Sequence, residues 1–156
     1  MGITKVCAVR GLKIMIDVDS EVESGDVRNY EMWRVGHYDH KEPDTLDWID
    51  THFKPGDTVY DIGANIGQYA LYAAKRLNND VVILAFEPEA LNFAKLNRNI
   101  VLNGLIDVIV PYPIATCTVI SPNEFEQDLN GGFVLSNEAE VNFSDGVVQN
   151  LIFARP

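Results

Sequence analysis

The chain is 156 residues long, enough for one domain with its own core, and its 47% hydrophobic and 22% charged residues exclude a disordered or fibrous protein. Aspartate and glutamate number 23 against 12 lysines and arginines, a formal net charge of −11 that repels a phosphate backbone and ranks nucleic-acid substrates low. No apolar run is long enough to span a bilayer, and Met1 to Arg10 lack the apolar stretch and cleavage site of a signal peptide, so the cytoplasm is the expected location.

Residues 1–41 read as an N-terminal β cap. Strands are expected over 5–9, 13–18 and 28–35, with turns at Gly11 and at Ser24-Gly25-Asp26, which makes a β-meander. The acids between Asp17 and Glu23 read as a solvated turn. Cys7 and Cys117 both lie in apolar, strand-like stretches, as buried free thiols do. His37-Tyr38-Asp39-His40 has too few ligands for a metal site and reads as a solvated loop, or as a roof over a neighbouring pocket. Trp33, Trp48 and Phe53 read as core.

Residues 42–156 read as one Rossmann-like unit. A helix is expected from Pro43, with Asp44 as N-cap and Leu46, Ile49 and Phe53 on one apolar stripe. Pro55-Gly56-Asp57 ends it. A strand over 58–62, a helix over 68–77 and a second strand over 81–86 follow. The apolar run of that second strand predicts cover on both faces. Pro88 then starts a helix with Glu89 in its first turn. Leu91, Ala94, Ile100 and Leu102 are its apolar positions, and Gly104 is its stop. A third strand covers 108–112, and Pro111 places it at a sheet edge. The alternation of strand and helix predicts an open parallel α/β sheet. Around Asn130-Gly131-Gly132 and through 133–135, 140–143 and 147–153 the tail reads as antiparallel hairpins.

The chemistry lies at Asp61-Ile62-Gly63-Ala64-Asn65-Ile66-Gly67, where a strand runs into a helix. Gly63 lets the backbone turn and approach a ligand, Asn65 tolerates the left-handed region, and Gly67 permits close packing. Glu87, at the end of the next strand, offers a carboxylate to both hydroxyls of a ribose. A dinucleotide fold uses G-x-G-x-x-G. The spacing here is one residue tighter, and Asp61 would sit poorly beside a pyrophosphate but suits the ammonium or sulfonium region of S-adenosylmethionine. A nicotinamide dinucleotide remains the competing ligand, and a glycine turn without a ligand the third alternative.

These motifs, with Ala85-Phe86-Glu87-Pro88, Leu96-Asn97-x-Asn99-Ile100-x-Leu102-Asn103, Ile114-Ala115 and Asn130-Gly131-Gly132, resemble the FkbM-type methyltransferases over residues 28–135. The resemblance implies a class I methyltransferase sheet that binds S-adenosyl-L-methionine. Asp61, Gly63, Ala64, Asn65 and Gly67 would lie under its methionine part. Gln68 would start the helix beside it, Glu87 would hold the ribose and Pro88 would flank the adenosine. It also implies O-methylation of a small-molecule or glycan hydroxyl. A vestigial cofactor-binding half-domain is the competing function.

The family continues into a fourth strand ending in a Lys-Ile-Asp-x-Glu-Gly type motif, which is not found here, so the sheet is expected to be incomplete and the catalytic residues are not identified. An absent fourth strand would leave the edge of 58–62 open. Residues 150–154 are the expected cover, and the alternative is a symmetric homodimer across that edge.

Overall fold

The computed structural model describes residues 2–19, 30–114 and 150–154. Two strands open the chain, β1 (Ile3–Val9) and β2 (Leu12–Val18), paired antiparallel with Val9 opposite Leu12. Arg10 and Gly11 turn between them with φ of 47° and 83°, the two positive values that a tight hairpin turn needs. Cys7, Val9, Ile14, Ile16 and Val18 are buried on the inner face. Cys7 is a free thiol that burial pushes up to about 11. Cys117 lies outside the described residues.

The expected third strand of this cap is instead a helix, α1 (Tyr30–Gly36). Its aromatic and β-branched residues suggest a strand, but tertiary contacts favour the other period. Met32 and Val35, three apart, pack on the core, Glu31 sits in the first turn and Arg34 in the last, as the helix dipole prefers. The cap is therefore a hairpin and a helix, not a meander. Asp17 is not solvated either: it is buried at the end of β2 and held by Lys95 at 3.1 Å and Arg98 at 2.8 Å.

Helix α2 (Pro43–His52) begins with Pro43 in its first turn and buries Leu46 and Ile49. Its N-cap is Glu42, not Asp44, which lies in the first turn; the Glu42 carboxylate is engaged by the Tyr69 hydroxyl.

Strands β3 (Asp57–Ile62), β4 (Val81–Phe86) and β5 (Ile109–Tyr112) are parallel, with α3 (Gln68–Arg76) and α4 (Ala90–Leu102) as crossovers. Strand β6 (Asn150–Ala154) pairs antiparallel with β3, from Thr58 opposite Ala154 to Ile62 opposite Asn150. The order is β5-β4-β3-β6, so Pro111 lies at an edge, as its missing N–H requires. The edge of β3 is covered from within the chain, and the dimer alternative has no open edge there to use. Of the expected C-terminal hairpins, the parts before residue 150 lie outside the described residues, and β6 pairs with β3.

One face of the sheet is the core. Val59, Val81, Ile83, Ala85 and Ile109 are buried there together with α3, whose residues from Gln68 to Ala74 are all buried. Among the described residues, no helix packs on the other face. Val82 is 47% exposed, and the rings of Tyr60, Phe86 and Tyr112 stack across the strands at 6.3 and 5.1 Å.

Helix α4 meets the hairpin with polar groups. Leu91 is 76% exposed and Ala94 faces outward, against expectation, whereas Leu96, Asn99 and Ile100 are buried. Asn103 accepts from the Met15 N–H at 2.9 Å and donates to the Met15 carbonyl at 2.7 Å. Asn99, one turn earlier, accepts from the Asp17 N–H and donates to the Ile66 carbonyl, both at 2.8 Å. These two amides complete the backbone pairing of β2, whose outer edge no strand covers among the described residues.

Candidate cofactor site

The site forms where β3 and β4 end side by side. The N–H groups of Gly63 and Ala64 both donate to the Phe86 carbonyl at 2.9 Å, which stitches the loop after β3 to the end of β4. Gly63 has φ of 77°, and a Cβ built on it meets nothing within 4 Å, so its open side is free for a ligand. Asn65 takes φ of 51° and accepts from the Ile66 N–H at 3.0 Å, a local bond that favours this conformation. Gly67 has φ of 89°, and a Cβ there would lie 2.6 Å from Leu96 Cδ1. Its close approach is therefore to α4.

Glu87 is 5% exposed and binds both sides of the site. Its Oε2 accepts from the Asn65 N–H at 2.7 Å and its Oε1 from the Glu89 N–H at 2.9 Å. Each oxygen keeps a second lone pair. Exposed Pro88 follows, and Glu89 is the N-cap of α4, accepting from Leu91 at 3.0 Å and Asn92 at 2.7 Å, where a place in the first turn was expected.

Asp61 is 4% exposed. The backbone N–H of Ala70, in the first turn of α3, favours its charged form, while Gly67, the N-cap of that helix, offers no side chain. Burial first, and then the charge of Glu87, push its carboxyl up to about 7, against the lowering effect of the Ala70 bond. Among the described residues its Oδ2 has no hydrogen-bond partner.

Gln68 is turned towards α1, with its Oε1 accepting from Arg34 and its Nε2 donating to the Arg34 carbonyl, both at 3.2 Å. Tyr38, from the His37–His40 segment, is buried and donates its hydroxyl to the Gln68 carbonyl, so that segment borders the start of α3 and is not a solvated loop. Sequence reasoning gave Tyr38 no role of its own, and an aromatic among histidines and an aspartate carries no signal that would single it out. His37 stacks on Trp33 with ring centroids 4.8 Å apart. Phe53 is buried, and Trp48 packs against the core. Among the described residues no group of three or more His, Cys, Asp or Glu could hold a metal, and no helix is long and apolar enough to cross a membrane.

A cavity of about 970 Å³ opens between α4, α1 and the end of β2. Asn65 and Ile66 reach its wall, but Asp61, Gly63 and Glu87 do not. Its charged lining is largely paired: Lys95 lies within 3.3 Å of Asp17, Asp19 and Glu31. The loop after β3 thus borders this cleft through Asn65 and Ile66, while Asp61, Gly63 and Glu87 lie outside its lining.

The elements define an α/β protein with a Rossmann-like run of three parallel strands, in the order β5-β4-β3, and with two carboxylates at adjacent strand ends. Among known proteins, the chain is 46% identical over 48 residues to the 31-O-demethyl-FK506 methyltransferase FkbM of Streptomyces tacrolimicus, a match over 31% of this chain and 18% of that one. The matched stretch is thus less than a fifth of the relative's length. No family model matches. Similar solved structures include M. jannaschii TYW2 in complex with AdoMet, at TM-score 0.48 and 17% identity over 72% of this chain and 43% of that one. The M. jannaschii tRNA m1G37 methyltransferase has TM-score 0.44 and 20% identity over 70% of this chain and 29% of that one.

Proposed function

We propose that the loop from Asp61 to Gly67, with Glu87, binds S-adenosylmethionine, and that the chain is the cofactor-binding portion of a methyltransferase. The observation that carries this reading is Asp61. Its carboxylate already occupies the N-terminal turn of α3, the place where a dinucleotide fold receives its pyrophosphate. A phosphate there would meet a buried acid. An ammonium would meet an acceptor, Oδ2, that lacks a partner. The donor set therefore fits a ligand with a cationic amino-acid arm.

In this reading Asp61 receives the ammonium, Gly63 gives the backbone room, Ala64 and Asn65 shape the loop, and Gly67 seats it on α4. Glu87 uses its remaining lone pairs for the ribose hydroxyls, Pro88 flanks the adenosine, and the start of α3 at Gln68 borders the ligand. When bound, the cofactor supplies an activated methyl group on a sulfonium, a leaving group that asks little of acid–base side chains, so placement of the acceptor accounts for much of the catalysis.

We assign the acceptor as a hydroxyl of a small molecule or glycan and the compartment as the cytoplasm. The likeness to FkbM and the net charge of −11 support this. Residues 1–41 act as a cap on the cofactor-binding unit of 42–156. The test is calorimetry with S-adenosylmethionine, S-adenosylhomocysteine and a nicotinamide dinucleotide. Heat with the first two and none with the third is expected, and the reverse pattern would overturn the assignment.

A further inference from the structure

Asp61 combines three features: it is buried, it stands at the end of β3 with the charge of Glu87 beside it, and among the described residues its Oδ2 has no partner. The titratable groups that face it come from three elements. Glu87 lies at the end of β4, Tyr38 follows α1, and Tyr69 is in the first turn of α3. On β6 its register partner is Leu151, which does not titrate. One is an acid and two are phenols, and burial holds both phenols well above their ordinary value, so they stay neutral. None of these groups is a cation that would hold Asp61 ionised. The cations of the cap stand elsewhere: Arg34 bonds Gln68, and Arg10 bonds Asp50.

A carboxyl in this position gains from a proton while the site is empty and from a cation when it is filled. We propose that Asp61 selects ligands by charge through a proton: it holds a proton in the free protein, and releases that proton to solvent as a primary ammonium arrives at Oδ2. The O–H bond of the carboxyl breaks, the proton goes to the buffer, and an ion pair takes its place. This deepens, and rests on, the reading of the loop as an S-adenosylmethionine site. It explains why an acid is tolerated deep in the protein, and it makes the amino-acid arm of the cofactor the part that is sensed. The position of Asp61 in its titration agrees, since burial and Glu87 bring it to about 7.

The experiment uses the full chain and two ligands, S-adenosylmethionine and 5′-methylthioadenosine. The second keeps the adenosine and lacks the amino-acid arm. Calorimetry near neutrality in buffers of different ionisation enthalpy counts the protons released. With a carboxyl near 7, affinity for S-adenosylmethionine should rise about eightfold between roughly pH 6 and 7.5, while 5′-methylthioadenosine binds without that dependence. The Asp61→Asn protein keeps a side chain of the same shape without the charge, so it should fold, bind S-adenosylmethionine less tightly and release no proton. Equal proton release by both ligands, or by wild type and Asp61→Asn, would overturn the proposal and leave the site reading intact. Binding of neither ligand would overturn both.

Discussion

The backbone N–H of Asn65 donates to Glu87 Oε2 at 2.7 Å, so the glycine loop after β3 and the acid after β4 form one hydrogen-bonded unit. The side chain proposed to hold the ribose thus also fixes the loop, so the proposed ligand contact and the loop geometry depend on one carboxylate.

Replacing Glu87 with Ala should act on both. It removes the acceptor of two buried or part-buried N–H groups, those of Asn65 and Glu89. Binding of S-adenosylmethionine should weaken by about 1–3 kcal/mol, and the free protein should lose stability on the same scale. Calorimetry and thermal melting measure the two losses. A change in affinity with no change in melting would mean that Glu87 does not hold the loop.

The two glycines should respond differently. Ala at Gly67 meets Leu96 Cδ1 and a φ of 89°, and should cost about 1–3 kcal/mol in urea unfolding. Adding Leu96→Ala should not restore it fully, because the backbone strain remains. At Gly63 an added Cβ meets nothing within 4 Å, so Gly63→Ala should cost only about 1 kcal/mol, from its φ of 77°. Gly63→Val should keep the helix content and lose cofactor binding, since its side chain fills the open side of the loop. Unchanged affinity in Gly63→Val would place the ligand elsewhere.

Asn103→Leu leaves the N–H and the carbonyl of Met15 without their side-chain partner. The expected destabilisation is about 1–3 kcal/mol, with faster amide exchange at Met15 than at its neighbours in β2. Wild-type exchange at Met15 in the variant would show that the amide clasp contributes nothing.

How much of this was legible in the sequence follows from what each residue depends on. Strand β4, the edge position of β5 and the Asp61–Gly67 loop rest on local patterns: an apolar run, a proline without an N–H, and glycines at a strand end. Helix α1 was misread as a strand because Tyr30, Trp33 and Val35 carry β preference, while the contacts that decide the matter, Glu31 to Lys95 and Arg34 to Gln68, join segments distant in the chain. Asn99 and Asn103 were visible as part of a family pattern, yet their role depends on β2 arriving beside α4, which no local rule states. Asp61 was read as a ligand for a cation. Its burial beside the first turn of α3 and the charge of Glu87 appears only when the two strand ends and the helix start are seen together.

The raised carboxyl of Asp61 has a sign that stability measurements read. Its folded value, about 7, lies above the ordinary aspartate value of 3.8, so the folded free protein binds the extra proton between those limits. The stability it contributes is full below the unfolded value and is lost as pH rises towards 7. Carboxyls with lowered values, such as Asp50, act in the opposite sense. The clean readout is therefore the difference between wild type and Asp61→Asn. Their gap in stability should shift against the wild type by a few kcal/mol from about pH 4 to 7. A gap independent of pH would contradict the assignment.

The central claim is that S-adenosylmethionine binds on the loop from Asp61 to Gly67, against Glu87. The most direct measurement is titration of the isotopically labelled protein followed by the backbone amide resonances. Saturable shifts are expected at Gly63, Ala64, Glu87 and Ala70, which do not line the cleft, with smaller changes at Leu91, Asn92 and Arg98, which do. Shifts confined to the cleft, or produced at the loop by a nicotinamide dinucleotide but not by S-adenosylmethionine, would contradict it.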